Sequence, residues 1–241
     1  MFLKLENITT GFGKKQVLTD VSFEVEKGET VLLSGGNGSG KSTVLKTIYG
    51  LLKPWDNTNS VVTGLAPAKN QPSSARDVTT KIGRVIFEGK DITAKPVASM
   101  IKNGIVYMPQ KHNVFEDFTI EENLLTSASI YPRKVAKTKL EKVYANLPIL
   151  KSMRKRTPFN MSGGERQILA FGNALIHSPR LFLLDEPFAG VDASNSEILF
   201  ESINDLINKN TTFVIVEHKR QMLDNIIKKE IKLELGGIRN E

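Results

Sequence analysis

Gly35, Gly36, Asn37, Gly38, Ser39, Gly40, Lys41 and Ser42 satisfy the pattern G-x-x-x-x-G-K-[ST] in full, and Thr43 follows them. Each residue type suits the task of holding a triphosphate. Glycines let backbone N–H groups converge on phosphate oxygens without side-chain obstruction, and a helix that begins there adds the positive end of its dipole. Lys41 would neutralise the β- and γ-phosphates of ATP, and the Ser42 hydroxyl would hold Mg²⁺. Further along, Leu181-Phe-Leu-Leu-Asp185-Glu186 is an apolar strand that ends in two acids. Such acids emerge at the C-terminal edge of an open α/β sheet, where ligands bind. Asp185 would orient Mg²⁺ through its water shell, and Glu186 would orient, or accept a proton from, an attacking water.

A third segment, Met161-Ser162-Gly163-Gly164-Glu165, has the S-x-x-E spacing of a helix capping box. A capping box needs no pair of glycines. Bare N–H groups and a serine hydroxyl at a helix N-terminus would also suit a second phosphate-binding edge.

The elements that must position these residues follow from periodicity. Residues 2–26 alternate in short apolar runs around Gly11 and Gly13, which predicts an antiparallel sheet. Residues 30–34 form a buried strand and 42–52 a helix, the context a phosphate loop requires. Strands are predicted at 84–88 and 104–108, and a helix from about Thr119. Beyond Ser162 the order is helix to about His177, strand 181–184, helix 193–208 and strand 212–216. Alternation with crossover-length connections implies a mostly parallel sheet covered on both faces, with an antiparallel piece in front and a helical insert in the middle.

Composition bounds the rest. At 241 residues without internal repeats, the chain reads as one domain, 1–241, with a helical subdomain at about 113–165 and an inserted loop at 54–82. That loop region is rich in Asn, Thr, Ser, Pro, Ala and Gly. A net charge of +7 favours phosphate-bearing partners, and the lack of cysteine excludes disulfides and thiolate metal sites. No apolar stretch suffices to span a bilayer, and charges interrupt the N-terminus as they would not in a signal peptide. Residues 133–156 hold nine Lys or Arg and one acid, Glu141, while Leu140, Val143, Tyr144 and Leu147 form an apolar stripe. The first reading of this stretch is a solvated helix face; contact with lipid headgroups or with a partner's acidic loop is the second.

The phosphate loop, Ser-Gly-Gly-Glu, Leu-Leu-Asp-Glu-Pro, Ala-Gly-Val-Asp and Val-Glu-His, in this order and over nearly the whole chain, resemble the ATP-binding-cassette ATPases. The resemblance implies the α/β fold of that family: a P-loop core with a mostly parallel sheet, an N-terminal antiparallel β subdomain and an inserted helical subdomain. It makes Ser162, Gly163, Gly164 and Glu165 the signature motif, which touches ATP held by the opposite subunit of a head-to-tail dimer. Gln110 would touch Mg²⁺ and the attacking water, His218 the γ-phosphate, and Asp192 the dimer interface. Phe12 stands where the family stacks an aromatic ring on adenine. Taken alone, Gln110 reads as a turn residue, His218 as an incidental surface or core residue and Phe12 as an ordinary hairpin residue. The sequence departs from the family pattern at Phe12 for Tyr, at Met161 and Glu165 for Leu and Gln, and in the length of 54–82.

Within the family, Met-Ser-Gly-Gly-Glu, the segment 104–110 and the segment 114–124 resemble the Liv-type ATPases of branched-chain amino acid importers. The segment 185–192 resembles the lipopolysaccharide-export ATPases as well. This implies a cytoplasmic protein, peripheral on the inner or plasma membrane. Its partners would be integral membrane permease subunits, a second cassette, identical or not, and a substrate-binding protein. The alternative of another class is a soluble, non-transport cassette ATPase. The family's translational type carries two cassettes in one chain and its DNA-maintenance type a long coiled coil, and neither is read here, so no nucleic-acid partner is expected.

Overall fold

The computed structural model describes residues 1–55, 83–111, 113–218 and 220–239. The loop expected at 54–82 lies outside them except for Pro54 and Trp55. Strands β1 (Leu3–Phe12) and β2 (Lys15–Val25) form the predicted antiparallel hairpin. Strand β3 (Thr30–Ser34) leaves it for a second sheet. Strand β4 (Arg84–Phe87) returns to the other edge of β1, and β5 (Lys90–Asp91) follows, so the first sheet has the order β2-β1-β4-β5.

The second sheet adds β6 (Ile105–Met108), β7 (Leu181–Asp185), β8 (Thr212–Val216), β9 (Lys229–Glu234) and β10 (Gly237–Ile238) in the order β10-β9-β3-β8-β7-β6. All its pairings are parallel except β10 with β9. Strands β3, β7 and β8 are almost wholly buried, which explains their unbroken apolar runs: a parallel sheet covered on both faces has no polar side to show.

The period of two divides these strands between two cores. Leu32, Val106, Phe182, Leu184, Phe213 and Ile215 point to one face, where α3 (Ile120–Ser127), α4 (Arg133–Asn146), α5 (Pro148–Ser152), α6 (Gly163–Leu175) and α7 (Ala193–Asn208) pack. Val31, Leu33, Leu183, Val214 and Val216 point to the other, toward the antiparallel sheet and α1 (Lys41–Ile48), with Met100 of α2 (Val97–Lys102). Phe171, Phe182 and Phe213 stack with centroids 5.2 and 5.7 Å apart, joining α6 to the sheet.

Local chemistry sets the helix ends. The expected helix over 42–52 stops at Ile48, because Gly50 takes a left-handed φ of 78°. The Gly50 and Leu51 N–H groups donate to Thr47 and Lys46 carbonyls, a Schellman closure. At the other end of the domain's helical face, Thr119 and Glu122 form a reciprocal capping box that starts α3. In α4 the stripe Leu140, Val143 and Tyr144 is buried, as is Leu147 just beyond it. The lysines at 134, 137 and 142 face outward, and Glu141 pairs with Lys151 at 3.2 Å.

His177 follows α6 and is packed against Tyr131, whose hydroxyl lies 3.1 Å from Nδ1. Burial, reinforced by Lys139, pushes its pKa down to about 4. The folded chain therefore keeps this imidazole neutral at pH values where the unfolded chain, titrating near 6.5, is already protonated. Stability carried by His177 is complete above pH 6.5 and declines as the pH falls toward 4. Denaturant midpoints measured across that window should fall, and His177→Gln should flatten the decline.

Candidate functional site

Register decides which side chains meet. Leu33 of β3 and Asp185 of β7 both pair with Val216 of β8, so the three strands end on one line across the sheet. Met108 of β6 pairs with Leu184, one residue earlier. The phosphate loop, Gln110, Asp185-Glu186 and His218 consequently leave the same edge, the place where open α/β sheets bind ligands.

The loop from Gly35 to Gly40 has the backbone that glycine permits. Gly35 has φ 140°, and a Cβ there would stand 2.1 Å from the Leu233 carbonyl oxygen; Gly40 has φ 102° and would meet Leu18 at 2.5 Å. Gly40 is also the N-cap of α1 and supplies no side-chain acceptor, so the first-turn N–H groups of that helix are left for a ligand. Lys41 Nζ donates to the carbonyls of Gly35 and Gly36 at 2.9 and 3.0 Å. Burial pushes its pKa down, while Glu186 and Asp185 pull it back up.

Ser42 Oγ donates to Asp185 Oδ1 at 2.8 Å, across 143 residues of sequence. Tyr107 donates its hydroxyl to the other oxygen, Asp185 Oδ2, at 3.0 Å. Burial and then the Asp185 charge push the phenol well up, so it remains a donor. Asp185 thus keeps its carboxylate edge in a fixed orientation. Ser42 and Asp185 bring two hard oxygens together, a donor set that suits Mg²⁺ completed by water and phosphate oxygens. Among the described residues there is no cluster of three or more His, Cys, Asp and Glu that would hold a metal by protein groups alone.

Glu186 stands at a left-handed φ of 52°, unusual for a residue with a side chain, and its N–H donates to Val216 O at 2.8 Å. One carboxylate oxygen accepts from Gln110 Nε2, and the other lies 3.4 Å from His218 Nε2. Glu217, absent from the sequence expectations, is buried beneath them and accepts from the N–H groups of Phe188 and His218 at 3.1 and 2.8 Å. An apolar strand running directly into Glu-His is the signal that could have singled it out. Tyr107 is the second omission; nothing local distinguishes it from an ordinary strand residue.

Phe12, Asn37, Gly38, Gly40, Lys41, Ser42, Thr43, Glu186 and His218 line one cleft of about 490 Å³, a volume within the range of small-molecule sites. Ser162, Gly163, Gly164, Glu165 and Asp192 do not line it. They form a separate constellation. The Ser162–Glu165 capping box is complete, with both reciprocal hydrogen bonds at 2.7 and 3.1 Å. Gly164 has a packing reason that the sequence reading missed: a Cβ there would meet Asn195 Nδ2 at 2.7 Å and Asp192 Oδ2 at 2.8 Å. Asp192 itself caps α7 through Asn195 N, and bonds from the Asn195 side chain and backbone hold its carboxyl below the usual range. Ser162 and Gly163 remain exposed at the helix tip.

Comparison with known proteins bears on this arrangement. A family described as "ABC transporter" matches residues 18–189. The high-affinity branched-chain amino acid transport ATP-binding protein BraG of Pseudomonas aeruginosa is 32% identical over 236 residues, covering 98% of this chain and 90% of that protein. The lipopolysaccharide export system ATP-binding protein LptB of Haemophilus influenzae is 29% identical over 225 residues, covering 92% and 83%. A nucleotide-free ATP-binding cassette from an ABC transporter superposes with a TM-score of 0.81 at 30% identity, covering 99% of this chain and 90% of that one.

Gly164→Ala should cost about 1–3 kcal/mol, because the added methyl must displace the Asp192–Asn195 cap rather than a flexible side chain. Urea unfolding of the variant and of Asn195→Ala,Gly164→Ala together checks this. The second substitution removes the clashing amide and should recover part of the loss.

Proposed function

Because the chain belongs to the ABC transporter family of ATP-binding proteins and is an ATPase, we propose that it binds ATP with Mg²⁺ in the cleft at the sheet edge and hydrolyses it as one half of a dimer. The observation that carries this reading is the common end line of β3, β7 and β8, with Lys41, the Ser42–Asp185 pair and the Gln110–Glu186–His218 cluster beside one another.

In this reading Lys41 and the N–H groups at the start of α1 hold the phosphates, and Phe12 stacks on the base. Ser42 and Asp185 would hold Mg²⁺, with Gln110 beside it; when bound, the cation neutralises charge developing on the phosphate oxygens. Glu186 orients the attacking water and takes its proton, His218 touches the terminal phosphate, and Gln110 keeps the Glu186 carboxylate aimed. Holding water and phosphate in line is most of what such a site must do.

Ser162, Gly163, Gly164, Glu165 and Asp192 lie apart from this chain's own cleft, which supports their contributing to the cleft of a second cassette. The site of one chain would then be completed by the helix tip of another. We further infer that the ATPase drives import of an amino acid through separate membrane permease subunits, served by a substrate-binding protein, with the cassette peripheral on the cytoplasmic side. Support comes from the likeness to the Pseudomonas branched-chain amino acid protein and from the absence, among the described residues, of any helix able to cross a membrane. The likeness to the Haemophilus lipopolysaccharide export protein favours export of lipid or lipopolysaccharide as the second reading.

Glu186→Gln should lower ATP turnover by roughly 10²–10⁴-fold, the range for loss of a general base, while ATP-dependent dimerisation persists, since the amide keeps the pocket's shape. Phosphate release and size-exclusion chromatography with ATP measure the two effects. Normal hydrolysis by this variant would sink the assignment of Glu186, and an amino acid uptake assay in membranes carrying the purified partners distinguishes import from export.

A further inference from the structure

The cleft has two chemically different ends. One is polar, with Lys41, Ser42 and Glu186; the other is built by two turns. The first turn joins β1 to β2 and presents Phe12, which is 49% exposed. The second joins β9 to β10 and presents Leu235, which is 95% exposed, the most exposed large apolar side chain among the described residues.

Leu235 is an odd occupant of that turn. Its φ is 49°, in the left-handed region that a γ-branched side chain enters at a cost, and it is followed directly by Gly236 and Gly237. A glycine or asparagine would serve a bare turn better. The turn is also held in place. Thr19 N donates to Gly236 O at 2.8 Å, and a Cβ at Gly236 would stand 2.1 Å from the Val17 carbonyl oxygen, so only glycine lets the turn lie this close to β2. Val17 itself lines the cleft with Leu235 and Gly236. An exposed leucine is thus fixed, at backbone expense, at the apolar end of a cleft whose other apolar wall is an aromatic ring.

We propose that Leu235 is the second wall of the nucleobase site: the base lies between the Phe12 ring and the Leu235 side chain, and the β9–β10 turn sets how tightly the base is held. This deepens the reading of the cleft as an ATP site and rests on it. Burial of the leucine against a flat ring supplies affinity for the base through apolar contact, with no hydrogen bond from the leucine itself.

Leu235→Gly is the test, because glycine suits the left-handed backbone and the variant should fold at least as well as the parent. Titration calorimetry of the full chain with Mg²⁺-ATP should show affinity reduced roughly three- to tenfold, from the lost apolar contact. Affinity for inorganic tripolyphosphate, which has no base, should not change, and Leu235→Met should restore ATP binding. Unchanged ATP affinity in Leu235→Gly would overturn the proposal. Equal weakening of ATP and tripolyphosphate would overturn it too, since Leu233 O lies against Gly35 and the turn would then act through the phosphate loop. Retention of ATP binding by Lys41→Ala would refute instead the reading of the cleft on which the proposal rests.

Discussion

The structure depends on the parallel register that ends β3, β7 and β8 on the line Leu33, Val216, Asp185. No local interaction creates the candidate site. Ser42 and Asp185 are 143 residues apart, Tyr107 and Asp185 are 78 apart, and Gln110 and Glu186 are 76 apart; each pair meets because two strands stop together. A one-residue slip would turn every side chain of a strand to the opposite face. Such a slip is opposed by the two cores, since Leu32, Phe182 and Phe213 must face the helices while Leu33, Leu183 and Val214 face the antiparallel sheet. The hydrophobic division that stabilises the fold therefore also sets the geometry of the site.

This explains what was legible beforehand. Strands β7 and β8 and helix α7 can be read nearly to the residue, because long apolar runs and a complete amphipathic turn pattern carry several periods of signal. Helix α6 carries its own start signal in Ser162 and Glu165. Strands β5 and β10 and helices α2 and α5 span two to six residues, too few for a period to show. Strand β9 is different: Lys229-Glu-Ile-Lys-Leu-Glu alternates cleanly, and its pattern of exposed and buried residues matches a half-covered strand. The fold class itself, a P-loop α/β core, follows from strand and helix alternation around the glycine loop and agrees with the superposition on a solved cassette.

The site was legible as residue types and not as partnerships. Glycines, Lys41, Asp185 and Glu186 announce themselves by spacing. Tyr107 does not, because its significance lies in the oxygen its hydroxyl reaches. The glycine pair shows a contact that spacing does not reveal. Sequence reasoning offers a phosphate-binding edge as the reason for Gly163 and Gly164; the structure adds a second reason for Gly164, its close approach to Asp192 and Asn195. The capping box and the packing together hold the helix tip and the Asp192 loop as one unit, with Ser162 and Gly163 left facing outward.

Glu217 shows how the sheet edge is made rigid. A buried carboxylate is costly unless its oxygens are hydrogen-bonded. Glu217 meets that condition with the backbone N–H groups of Phe188 and His218, one from the segment after β7 and one from the segment after β8. The bond from Glu186 N to Val216 O crosses the same gap in the same direction, with its donor after β7 and its acceptor on β8. Glu186 can therefore be held at its left-handed φ just before Pro187, since the backbone on both sides is tied to β8. The same two ties fix His218 within 3.4 Å of Glu186. Pairing of side chains that a mobile loop would leave to chance is here imposed by one main-chain hydrogen bond and one buried acid, so the edge of the sheet keeps its geometry.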